Sequence, residues 1–364
     1  MFHRESGYFK TTYEADMGLY RLPIAKYTVI GIAVIFFVIC PLVLDEYYLS
    51  IINLIAIATV GALGLNILLG YTGQISIGHA AFMSVGAYTA ANLAVQLHLP
   101  FWITLPAGGA MAAMIGLLVG IPSLRIKGLY LAIATLAAQF IIEWVINHTP
   151  AISGGVQASI EVPPPCLGFQ DDAGVCQGTA LANQAQLYYF VMIIAVIAVV
   201  ATLNLVRSRL GRAFVAIRDQ DIAAEIIGIN VFKTKLIAFA ISSFYAGVCG
   251  VMYTYYLGIA NYEMFQLNTS IDYLAMVIIG GLGSVLGSIF GAIFITMLPI
   301  AIRLIMEAVG TMFVDEAVLA QLIAQFRLII FGALIIGFLV VEPDGLAKLW
   351  QNIVNYFRVW PFSY

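Results

Sequence analysis

The chain has 364 residues, of which 62% are hydrophobic and 10% charged, with a mean hydropathy of +0.99. Soluble domains carry about a quarter of their residues as charges, so a soluble enzyme or binding module is excluded and an integral membrane protein is indicated. A formal net charge of −3, without a basic tail, argues against a nucleic-acid partner.

In chain order, residues 1–26 form an arm with Arg4, Lys10, Arg21 and Lys26. Apolar runs follow at Tyr27–Leu44, Ser50–Leu69, Ala80–Leu97, Phe101–Ile121 and Gly128–Ile146, each of a length that crosses a bilayer. The first run ends in CPLVLDEYY without an A-x-A-like site, so it reads as a retained span rather than a signal peptide. A polar segment, 147–186, comes next. It contains VPPP at Val162–Pro165, which cannot be helical. It also contains Cys166 and Cys176, which either form a disulfide in an oxidising periplasm or stay as two free thiols. Cys40 and Cys249 fall in apolar runs and read as packing residues. Further runs lie at Leu187–Val206 and Leu236–Leu257; Thr269–Gly281 is short for a span, Val285–Ile302 is adequate, and Ile323–Val341 closes the membrane part.

Threading ten spans puts the 1–26 arm, the Arg125/Lys127 turn, the 207–235 loop and the C-terminal tail on one side. That side then holds all the Lys and Arg except Arg303 and Arg327, as the positive-inside bias favours. Nine spans would strand Lys348 and Arg358. The expected fold is an all-α polytopic membrane protein, one transmembrane domain over 1–364, with about ten transmembrane helices. Residues 50–147 and 236–341 would be two four-helix units of opposite topology, separated by an outer segment, 147–186, and a cytoplasmic loop, 207–235.

Two stretches interrupt the hydropathy. In GYTGQISIGHAAF, residues 70–82, Gly70, Thr72, Gln74, Ser76 and His79 are poor helix material, and such backbone survives at membrane depth only where protein or a water-filled cavity satisfies it. In GGLGSVLGSIFG, residues 280–291, Gly283, Gly287 and Gly291 form a ridge that admits close helix packing, and Gly280, Gly283, Ser284 and Gly287 either pack or line a path. His79 reads more readily as a hydrogen-bonded structural residue than as a proton carrier. Asp272 reads as a cap of the short eighth helix rather than an ion site.

The 207–235 loop holds six of the sixteen Lys and Arg. GRAFVAIRD and DQDIAAEIIGIN each suit a short amphipathic helix, with Asp219 or Asp221 as a cap between them. Phe214, Ile217, Ile222 and Ile226 would make the apolar side, leaving Arg212, Arg218 and Glu225 to a soluble partner or to topology alone. The chain has no G-x-x-x-x-G-K-[ST], no H-E-x-x-H, no G-x-S-x-G and no metal-spaced Cys/His set, so neither ATP hydrolysis, catalysis nor a metal site is expected of it. Energy from a docked partner fits better than an ion gradient, since ion-coupled carriers keep ionisable or unwound ion-binding groups near the midplane. A passive pore stays open as an alternative.

Four segments carry a family resemblance: LNILLGYTGQISIGHAAFMSVGAYTAA, GLYLAIATLAAQFI, LGRAFVAIRDQDIAAEIIGINVFKTKLIAFAISSFYAGVCG and MVIIGGLGSVLGSIFGA. In this order, over most of 50–300, they resemble the permease subunits of bacterial branched-chain amino acid ABC importers of the LivM type. The resemblance implies a multi-pass inner-membrane subunit with both termini cytoplasmic. It implies a second homologous permease, two cytoplasmic ATP-binding subunits that hold ATP and Mg, and a periplasmic substrate-binding protein. Arg212, Arg218, Asp219, Asp221, Ala224, Glu225 and Gly228 would then form the ATPase-coupling region. Gly70, Thr72, Gln74, Ser76, His79, Gly280, Gly283, Ser284 and Gly287 would lie along the translocation path or support it. The expected cargo is a branched-chain or other hydrophobic amino acid, with urea or short amides as the alternative. One departure is the turn Ser153-Gly154-Gly155 followed by Ala158, where relatives carry a T-G-G-x-x-G type.

Overall fold

The computed structural model describes residues 34–124, 130–155, 159–166, 183–310 and 345–359, with a few isolated positions besides. The first helix whose bounds lie within the described residues, α1, is π-helical over Ile35–Ile39 and α-helical over Cys40–Val43. There follow α2 (Glu46–Asn66, prolonged by a π-helical turn, Ile67–Tyr71), α3 (His79–Gln96), α4 (Phe101–Ser123) and α5 (Tyr130–His148). After the 147–186 segment come α6 (Gln184–Arg207), α7 (Arg209–Asp219), α8 (Asp221–Ile226) and α9 (Val231–Leu257). The last described helices are α10 (Leu267–Gly280), α11 (Val285–Gly310) and α12 (Gly345–Val359).

Six stretches, Glu46–Tyr71, Phe101–Ser123, Leu131–His148, Gln184–Arg207, Val231–Leu257 and Val285–Leu304, are long and apolar enough to cross a bilayer. The all-helical, multi-span reading therefore holds. The count of ten does not follow from the described residues, because the last expected run, Ile323–Val341, lies mostly outside them. The runs Ala80–Leu97 and Thr269–Gly281 form α3 and α10, which are not among the six. Residues 73–78, ahead of α3, are non-helical, as is most of 258–266 ahead of α10.

The longest of the described helices, α9, is the axle. At about 1.5 Å per residue it is ~40 Å long, and α2, α3 and α4 pack around it. Glycines set these distances. A Cβ on Gly86 would strike the Gly247 carbonyl, one on Gly250 the Met83 carbonyl, and one on Gly116 the Ser243 side chain. Lipid gives helices no hydrophobic reason to associate, so small residues that bring backbones together must supply the attraction through van der Waals contact. Helix α2 is buried almost throughout from Ala56 to Asn66. Around this centre α5 lies on α3, α11 on α2 and α10, and α6 on α2. The Tyr188 hydroxyl donates to the Phe36 carbonyl at 2.6 Å and joins α1 to α6.

The loop helices α7 and α8, with Arg207, Arg209, Arg212, Arg218, Lys233 and Lys235, define a basic face. On the far face, β1 (Ile160–Glu161) pairs antiparallel with β2 (Ile259–Ala260), Ile160 opposite Ala260. This strand pair and helix α12 were not expected from sequence. α12 packs on α10 and α11, with Trp350 5.7 Å from Phe290. The reading of Asp272 as a helix cap is corrected: the N-cap of α10 is Gln266, and Asp272 lies in its second turn.

Candidate functional site

Where α3 begins, backbone donors that a helix cannot satisfy for itself are buried. Side chains from other helices meet them. Thr135 Oγ1 accepts from Ile77 N at 3.1 Å, Ser270 Oγ from Ala80 N at 2.8 Å, and Gln139 Oε1 from Ala81 N at 2.8 Å. Gln139 Nε2 donates to the Phe265 carbonyl at 2.9 Å, which ties in the turn ahead of α10. His79, the first residue of α3, is 2% exposed and its ring lies 5.5 Å from that of Tyr273. Its Nε2 has no partner among the described residues. Ser76 is buried in the same stretch.

Toward the basic face the two glycine-rich stretches meet, joined by a residue the sequence reading did not single out. Asn66, 1% exposed, accepts from Gly283 N at 2.9 Å and donates to Ser284 O at 2.9 Å and Ser288 Oγ at 2.8 Å. Gly70 packs so tightly on Gly283 that a Cβ there would overlap the Gly283 amide. Gly283 itself has φ +74°, a conformation open to glycine at little cost. The two stretches therefore lie side by side on one face.

Arg218 of α7 reaches this junction. Its Nη1 donates to the Gly70 carbonyl at 2.8 Å, while its Nε faces Asp219 Oδ1 at 3.3 Å. A second chain runs beside it. Thr72 Oγ1 donates to the Leu68 carbonyl, Gln74 Nε2 to Thr72 Oγ1 at 2.9 Å and to Lys235 O at 3.4 Å, and Lys235 Nζ is 3.6 Å from Asp221 Oδ2. Loop helix, broken span and the start of α9 thus share one polar network. Gly280 and Gly287 do something simpler: each backs onto the other's backbone and closes α10 against α11. Ser284 Oγ accepts from Gly287 N and finishes that turn.

The two loop helices form where expected, with three corrections. Neither Asp219 nor Asp221 caps α8, whose N-cap is Gln220; Asp221 occupies the first turn, where a carboxylate favours the helix dipole. Phe214 and Ile217 are buried, but Ile222 and Ile226 are 63% and 81% exposed, joined by Ile227 at 74%. Ala224 is buried within the loop rather than displayed. Arg212 Nη1 donates to Arg207 O at 3.1 Å, and Glu225 is exposed. Gly228 has φ +92° with open space around it, and its N–H closes on the Glu225 carbonyl. Cys166 is buried and disulfide-bonded, Cys40 and Cys249 are free thiols, and Cys176 lies outside the described residues.

The family model "Branched-chain amino acid transport system / permease component" matches residues 47–339. The chain is 30% identical over 323 residues to the high-affinity branched-chain amino acid transport system permease protein LivM of Escherichia coli, covering 85% of this chain and 72% of that protein. It is 25% identical over 264 residues to the ribose import permease protein RbsC of Haemophilus influenzae, covering 71% and 77%. It is also 23% identical over 295 residues to LivH of Escherichia coli, covering 78% and 89%. No solved structure matches. A multi-span helical chain whose broken span is gripped by a loop helix, matched along most of its length, belongs to the family of branched-chain amino acid transport system permease components.

Proposed function

We propose that this chain is the membrane subunit of an ATP-driven importer in the bacterial inner membrane, working by alternating access beside a second homologous permease. The basic face is cytoplasmic, as are both termini. Two ATP-binding subunits, which hold ATP and Mg, drive the pair, and a periplasmic binding protein delivers cargo on the far face. The cargo is a branched-chain or other hydrophobic amino acid, in keeping with the relatives named for that transport; the relative named for ribose import sets the outer bound of the class.

The observation that carries the reading is the Arg218–Gly70 hydrogen bond. It joins a loop helix outside the apolar slab to the broken end of α2 inside it. Ile222, Ile226 and Ile227, exposed on and just after α8, provide an apolar knob of the kind that seats in a partner's cleft. Displacement of that knob by the ATP-binding partner then moves α7, and Arg218 passes the movement to the junction of Gly70, Asn66 and Gly283. In the same reading Cys166 and Cys176 are the disulfide pair that braces the periplasmic segment, and the 50–147 and 236–341 units are inverted repeats that rock against each other.

The test is extraction in mild detergent followed by mass spectrometry of the proteins that accompany the chain, then leucine uptake in vesicles with and without ATP. A second permease and an ATP-binding protein, with uptake that needs ATP and survives an uncoupler, are the expected results. Recovery of the chain alone, moving solute without ATP, would replace this reading with a carrier or a pore.

A further inference from the structure

Helix α12 is seated at one end only. Gly345, at φ +72°, backs so closely onto the end of α10 that a Cβ there would strike the Gly281 backbone. Leu346 packs against the core and Ala347 is buried. From Trp350 to Tyr356, by contrast, every residue is exposed, apolar and polar alike. Trp350 and Ile353 are each 49% exposed and Val354 is exposed with them. A helix this short is marginal in water unless one of its faces is packed. The body of α12 therefore calls for a surface that the described residues do not supply.

The pattern of the helix says what kind of surface. At 3.6 residues per turn, Leu346, Trp350, Ile353 and Val354 fall on one side, at i, i+4, i+7 and i+8, with Gln351, Asn352 and Asn355 on the other. Position says where that surface lies. The Trp350 ring is 5.7 Å from that of Phe290, in α11, which is long and apolar enough to cross a bilayer. Phe290 follows the first residue of α11, Val285, by about 8 Å at ~1.5 Å per residue. That is the level of a bilayer boundary, where tryptophan concentrates. Leu286, one turn before Phe290 on the same flank of α11, is 54% exposed. The apolar side of α12 thus runs on into the flank of a span, whereas a soluble partner on the basic face would meet the aqueous end of the bundle.

We infer that α12 is an interfacial anchor whose partner is a lipid surface. Trp350, Ile353 and Val354 sink into the headgroup–acyl boundary of the leaflet on the basic side, and Gln351, Asn352 and Asn355 face water. The inference requires that the chain span a membrane, and it is independent of the importer reading. Attachment here acts on the joint between the broken spans. α12 begins against Gly281, and Gly283, two residues on, is the one held by Asn66 and packed on Gly70. The bilayer surface thereby steadies the end of α10 from which that joint works.

The test is photocrosslinking of the full chain, with its partners, in native membranes. Ile353 is replaced by the photoreactive benzoylphenylalanine in one variant and Asn352 in another, and the adducts are weighed by mass spectrometry after illumination. Phospholipid adducts are expected as the main product at position 353, with a lipid yield at position 352 lower by about fivefold or more. The same replacement at Val354 decides the matter if the Ile353 variant fails to insert. A dominant adduct with another protein chain at the deciding position, no lipid adduct there, or a lipid yield equal to that at position 352 overturns the anchor.

Discussion

Glycine does two different jobs on the two sides of α2. In the seam of α3, α4 and α9, Gly86, Gly247 and Gly250 have ordinary helical backbone, and their value is the missing Cβ. At the junction of the broken spans, Gly283 has φ +74° and Gly73 φ +67°, and each lies against the Arg218 side chain. The first arrangement is packed by backbones that have nowhere to go. The second is held by side-chain hydrogen bonds, which exchange partners readily. A transporter needs both, a body that keeps its shape and a joint that does not, and the chain builds them from the same residue type.

The largest effect should come from the seam. Gly247→Leu drives a side chain into Ala112 and the Gly108 carbonyl, and backbone cannot retreat as a flexible side chain would. Overpacking of this kind costs about 3 kcal/mol or more. No monodisperse, folded protein is expected on size-exclusion chromatography in detergent; a normal peak with an unchanged melting temperature would show the seam to be looser than described.

Arg218→Ala should behave in the opposite way. The side chain is part-exposed, so its removal is expected to shift the melting temperature by no more than a few degrees, while ATP-driven uptake falls by about tenfold with partners still bound. Arg218→Lys, lacking the forked guanidinium, should restore only part of the rate. If uptake and stability fell in proportion, the joint would be a structural element like the seam, and the contrast would fail.

The smallest effect is expected at Gly228, whose surroundings are open. Its φ of +92° makes any L side chain strained by about 1–2 kcal/mol locally. Gly228→Asn, which tolerates positive φ best, should retain the ATP-binding partner on co-purification, whereas Gly228→Arg should lose it by placing a bulky charge at the proposed docking surface. Equal recovery with both would move the contact away from Gly228.

Much of this was legible in the sequence, for physical reasons that can be named. Apolar runs report spans because a bilayer tolerates little else, and a basic stretch such as Arg207–Lys235 must leave the hydrocarbon. The two glycine-rich stretches were visible as breaks; Thr72, Gln74, Ser76 and His79 of the first are buried, and its Gly70 packs on Gly283 of the second. What could not be read was which partner each break finds. Asn66 sits between Leu65 and Ile67 in an apolar run, and only the fold shows that it reaches 217 positions along the chain to Gly283. Thr135 and Gln139 lie in a quoted motif but gave no hint that they serve the amides ahead of and within α3. Periodicity was also misleading at α8, where the isoleucines that should have been buried face outward. A six-residue helix is too short for an apolar stripe to fix its orientation.

The short strand pair on the far face has one more consequence. Ile160 and Glu161 are paired with Ile259 and Ala260, just ahead of the Tyr262–Phe265 turn, and Phe265 is tied to α5 through Gln139, so a push on this strand pair is passed along hydrogen bonds toward α10. The molecule is thus strung as a lever with its fulcrum near Gln139 and Ser270. In the proposed importer, a docked delivery protein would act inward along one arm, and the ATP-driven stroke would act outward along the other.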